Sequence, residues 1–167
     1  PFGAKHMGVM ARFKPGDAYN QADVEDLKRA IVATGLVSSV LADPVEGQMP
    51  GTADVIVTTS PAPLRTIAAE IGYGTGEGIR AAASWTHRNL ISPEGAVTFA
   101  GVVGTREQSL GSNLRMSNWH RRDWVLNART SASNTRRAAY QARTVQVGAS
   151  LERQTNLIWQ KKWIWNA

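Results

Sequence analysis

Apolar residues recur at two different periods along this chain, and the period changes near residue 63. Before that point the spacing is first helical. Met7, Met10 and Phe13 stand at i, i+3 and i+6, which predicts a short amphipathic helix over residues 4–13. Lys14-Pro15-Gly16-Asp17 should stop it, since proline disfavours helix in the residue before it and glycine permits the turn. Val24, Leu27 and Ile31 share one face of a second helix, with Asn20 as N-cap and Asp23 close to completing a capping box. Gly35 falls where a left-handed C-terminal cap belongs. Val37–Ala42 and Ala53–Thr59 then read as strands joined by the turn-rich segment Asp43–Thr52, with Pro44 ending the first. The order is helix, helix, strand, strand.

From Leu64 onward the period is two. Ile67, Ala69, Ile71 and Tyr73 alternate with Thr66, Ala68, Glu70 and Gly72, and Ile79, Ala81, Ala83 and Trp85 alternate with Arg80, Ala82, Ser84 and Thr86. The same holds for Trp124–Ser133 and Thr144–Leu151, and segments 96–104 and 110–118 read as two more strands. Residues 157–165 begin another, so about six strands and the start of a seventh are expected, with scattered arginines on the polar face. Ser60-Pro61-Ala62-Pro63 is expected to be a stiff linker between the two regions. One dry face and strands close to the ~9–11 residues of a membrane strand fit a transmembrane β-barrel, but a soluble sandwich has the same period.

Charge and composition sharpen the division. Residues 1–63 hold five Lys/Arg and seven Asp/Glu, a net −2, while residues 64–167 hold fourteen and six, a net +8. All six tryptophans follow residue 63. Hydrophobic residues at 43% and charged residues at 19% exclude a disordered tail. With no cysteine there is no disulfide framework, zinc ribbon or thiol nucleophile. No apolar run approaches the ~20 residues of a membrane-spanning helix.

Two stretches carry a resemblance. Arg12–Val40, RFKPGDAYNQADVEDLKRAIVATGLVSSV, resembles the POTRA repeat of outer-membrane barrel assembly proteins, with Val37 where an aromatic is usual. Pro63–Leu90, PLRTIAAEIGYGTGEGIRAAASWTHRNL, is similar to the first barrel hairpin of that superfamily. Leu114–Asn134 and Val147–Trp163 look like later strands of the same barrel, in the branch that includes TamA. The resemblance implies an α+β chain: residues 1–62 a POTRA domain whose first strand is missing or truncated, and residues 63–167 the N-terminal part of the barrel. The superfamily's later Arg-Gly-aromatic loop is absent from the sequence, which therefore looks like a fragment.

The implied role is non-enzymatic. The POTRA part would lie in the periplasm of a Gram-negative bacterium and receive unfolded clients. The barrel would insert them into the outer membrane, in contact with its lipid and with a TamB-like partner anchored in the inner membrane. A two-partner secretion transporter of the same superfamily is the alternative within the class. The strand after Gly35 (Ser39, Val40, Leu41) and the first barrel strand (Ile67, Ala69, Ile71, Tyr73) are the expected client-binding edges. Neither cofactor nor metal is expected. Gly72, Gly74, Gly76 and Gly78 lack the dinucleotide spacing, and His6, His87 and His120 lack a partner at ligand spacing. Outside the class, Arg115, Arg121, Arg122, Arg129, Arg136 and Arg137 among Trp119, Trp124 and Tyr140 suggest a basic β-rich nucleic-acid-binding module. They form no recognisable stripe, and no nucleic-acid partner is expected.

Overall fold

The computed structural model describes residues 3–137, 139–157 and 161–166, the last ten side chains of these excepted. Two helices and a strand pair precede a seven-stranded antiparallel meander, so the chain is α+β in the expected order. It divides into two compact units, one of Pro1–Pro63 with His120–Arg122, the other of Leu64–Trp119 with Asp123–Ala167.

In the first unit α1 (Ala4–Met10) packs its apolar side on α2 (Gln21–Ala33). α1 stops three residues earlier than its periodicity suggests, because Ala11 is already extended at ψ 142°. Phe13 nevertheless joins the apolar cluster from the loop. Asn20 caps α2 by accepting from the Ala22 amide at 3.0 Å, and Gly35 takes φ 68° just beyond its end. Met10, Leu27, Ile31 and Val37 form the core, with Val40 and Val57 packed against it from the strands. Around it, Asp26 accepts from Arg12 Nε at 3.0 Å and pairs with Arg122 Nη2 at 2.7 Å, while Arg122 Nη1 also donates to the Met10 carbonyl at the end of α1. On α2, the hydrogen bond to Glu25 is the main reason the Lys28 pKa lies above its usual value.

Strands β1 (Val37–Glu46) and β2 (Ala53–Pro61) pair antiparallel through Leu41↔Thr58 and Pro44↔Val55. Two expectations are corrected here. Pro44 does not end β1: it lies within the strand of a two-stranded sheet, where one side of each strand needs no ladder donor. Ser60 and Pro61 are not linker either, because β2 continues through them opposite Val37–Ser39. The Ser38 hydroxyl donates to their carbonyls beside the register shift.

The second unit runs β3 (Arg65–Gly74), β4 (Gly78–Ile91), β5 (Gly95–Gly104), β6 (Glu107–Ser117), β7 (Trp124–Arg137), β8 (Tyr140–Leu157) and β9 (Lys161–Asn166), each paired to the next. The strands outrun their alternating cores, since backbone pairing continues where side-chain patterning fades. Leu157 accordingly ends β8 rather than opening β9. Two turns at one end of the meander are tied together. Glu94, only 4% exposed between β4 and β5, accepts from Asn118 Nδ2 at 3.1 and 3.0 Å on its two carboxylate oxygens. Its amide donates to Asn89 Oδ1 at 3.0 Å. Glu94, Asn118 and Asp123 all hold positive φ (60°, 51° and 69°), an unusual concentration for residues with side chains.

Candidate functional site

The pairing register of the meander sorts its side chains into two faces. Ile67 lies opposite Trp85, which lies opposite Phe99; Ala69, Ala83, Gly101, Leu110, Ala132 and Val145 form the adjacent row. Large apolar residues of this face are exposed: Ile67, Ile71, Tyr73, Ile79, Phe99, Val103, Leu110, Val145 and Val147. Ile71 at 81% and Val147 at 80% exposure exceed what a water-facing sheet surface presents without cover. Within it, the hydroxyls of Ser112 and Thr130 lie 3.2 Å apart and satisfy one another, as polar groups in an apolar surrounding must. Trp85 stacks on Phe99 at 6.0 Å and touches His87 at 5.9 Å.

The opposite face is polar and small. Thr86 and Thr98 share a hydrogen bond at 2.9 Å, and Arg80 reaches Glu70 at 3.2 Å. A shallow polar depression of about 440 Å³ is lined by Asn113, Arg115, Asn127, Arg129, Ser150 and Glu152. Asn127 donates to Glu152 there at 2.9 Å. Gly148 opposite Arg129 leaves room for that side chain, which lies within 3.4 Å of where a Cβ would stand. Arginine is not confined to this face, however. Arg65, Arg143 and Arg153 share the register parity of the apolar face and stand at its ends, where long side chains reach past an apolar surface. Arg153 lies over the Trp124 ring at 5.7 Å.

Among the described residues β3 is hydrogen-bonded on one side only, to β4, and β1 likewise only to β2. The expected client-binding residues thus fall on edge strands, but not as one site. Ile67, Ala69, Ile71 and Tyr73 lie together on the apolar face of β3 in the second unit. Ser39 and Leu41 point outward from β1 in the first, whereas Val40 packs inward on the helical core and can offer only its backbone. The exposed residues Ile79, Val103, Leu110 and Val145 and the Glu94–Asn118 tie lay outside that expectation. The first follow from the same alternation; the second joins residues 24 apart, with no local signal. Among the described residues no group of three or more His, Asp or Glu could hold a metal ion. Among the described residues no helix is long and apolar enough to cross a membrane, which says nothing of strands.

No family model matches the chain. Among solved structures it is similar to BamA from Haemophilus ducreyi lacking POTRA domains 1–3, with a TM-score of 0.72 at 16% identity. The likeness covers 91% of this chain and 30% of that one, so the chain spans under a third of the BamA structure's length. At this identity what is shared is the fold. The two helices and the open antiparallel meander thus share the fold of the matched part of the BamA structure.

Proposed function

We propose that this chain belongs to a non-enzymatic outer-membrane protein assembly or translocation factor of the TamA-like branch. In this reading residues 1–62 are a periplasmic POTRA domain that receives unfolded clients, and residues 63–167 are the N-terminal part of a barrel that inserts them. Outer-membrane lipid and a TamB-like inner-membrane-anchored protein are its partners. The observation that supports it best is the exposed apolar face of a BamA-like meander, ending on a first strand with an open side. An open strand offers main-chain groups onto which a client strand can pair, and burial of the client's apolar face in lipid is downhill, so no ATP is required.

Chain chemistry makes the test clean, because there is no native cysteine. Single cysteines at Ile67, Ala69 and Ile71 in the full-length protein should form disulfides with the last strand of a stalled client. Cysteines at Leu110 and Ala132, each with a strand partner on both sides, should not. Robust crosslinking at Leu110 with none on β3 overturns the reading. A two-partner secretion transporter would be distinguished by secreting a soluble client rather than inserting one.

A further inference from the structure

The rows of the apolar face are not uniform in character, and the way they fail is ordered. One row runs His87, Val97, Leu114, Ala128, Ala149 from β4 to β8, with Arg65 of β3 opposite His87. It is charged or polar on β3–β4 and apolar afterwards. Another row runs Ala81, Val103, Gln108, Asn134, Arg143. It is apolar on β4–β5 and polar afterwards. On β8 the first charged position of this face beyond Ala149 is Arg153, four residues on and paired to Trp124. On β4 this face stays apolar from Ala81 to Ile79, and the next residue of the same parity is the charged Glu77 of the adjoining turn, again four residues on. Both borders of the apolar band therefore shift the same way, by four residues over the four strand steps from β4 to β8.

We infer that a bilayer's hydrocarbon layer crosses this sheet obliquely, bounded by Arg65, His87, Trp124 and Arg153 on one side and by Gln108, Asn134 and Arg143 on the other. A shift of one residue per strand, at about 3.3 Å rise and ~4.8 Å spacing, sets the strands about 35° from the band's normal. That falls at the lower end of the ~35–45° tilt of membrane barrels. Arg143 and Arg153 are ten residues apart on β8. Projected at this tilt, that is about 27 Å, against the ~25 Å apolar band of outer-membrane barrels. The borders also carry the right chemistry. Cationic Arg65 and Arg153 suit phosphate headgroups, and the Trp85–Phe99–His87 cluster and the Arg153–Trp124 pair lie along the same slanted border. A water-facing sheet covered by protein has no reason to keep two parallel borders at this spacing.

The inference rests on the membrane reading above, and one experiment separates their failures. Nitroxide-labelled single-cysteine variants of the full chain, His87→Cys, Ala149→Cys, Ala81→Cys and Arg143→Cys, are reconstituted in phosphatidylcholine vesicles. Accessibility to oxygen is compared with that to a water-soluble nickel chelate. Labels at Ala149 and Ala81 should favour oxygen, and those at His87 and Arg143 nickel, reversing the ratio within each row. Arg65→Cys serves for His87 should that variant not fold, since it shares the row. Equal ratios within each row, with oxygen contrast against a polar-face label at Ser131, overturn the oblique band while keeping the membrane. Nickel access at all positions, Ser131 included, overturns the membrane placement itself.

Discussion

Individual side chains fix the two parts of this chain by different means. In the first unit one apolar face does the holding: Leu27 is 4% exposed and Ile31 fully buried. Leu27→Asp places a charge with no partner in that core, and should abolish the helical circular dichroism of α1 and α2. Since the chain's helices lie in this unit, a preserved signal at 222 nm counts against the packing described. In the second unit a buried polar side chain ties two turns together. Glu94→Ala removes the acceptor that orients Asn118 and should destabilise the two turns by about 2 kcal/mol, the scale of a buried hydrogen bond to a charged group. Faster amide exchange at Ser117 and Asp123, whose amides bond to the Glu94 carbonyl and to Asn118 Oδ1, is the measurement. Unaltered exchange there refutes the role.

At the scale of elements, what was legible in the sequence is what depends on nearby residues. Period two marked the strand cores of the meander, and Asn20 and Gly35 marked the limits of α2, because a cap and its helix are neighbours. What depended on pairing was hidden. Pro44 reads as a stop, yet in a two-stranded sheet it is tolerated inside β1. Val40 and Leu41 look equivalent in a β-rich run, yet one packs against the helical core and the other is exposed. The tie between the β4–β5 and β6–β7 turns needs two residues that are 24 apart. Two glycines carry testable weight. Gly35→Ala forces a side chain into φ 68° and should cost about 1 kcal/mol of helix-unit stability in a denaturant titration. Gly78, at φ 79°, would bring a Cβ within 2.6 Å of Thr105 Oγ1, which accepts from the Ile79 amide. Gly78→Val should therefore loosen the β3–β4 hairpin and raise its protease sensitivity; an unchanged cleavage pattern shows that the turn absorbs the change.

At the scale of the molecule, the chain's surface sets the solvent it needs. So many exposed branched and aromatic residues on one face predict aggregation in plain buffer and a monodisperse protein in detergent micelles, by size-exclusion chromatography. Affinity for single-stranded nucleic acid that falls steeply with salt would favour the basic-module alternative instead. A last consequence follows from β3 being built of so little. Ala68, Ala69 and Gly72 give a joining strand almost nothing to interlock with, so identity is hardly inspected at this edge. Phase is another matter. A slip of one residue turns every apolar side chain of the newcomer to the polar face, whereas a slip of two keeps apolar side chains beside the apolar row Ile67, Ala69, Ile71 and Tyr73. Such an edge would act as a parity filter: it admits unrelated sequences that share an alternation, and lets them advance in steps of two residues at small cost.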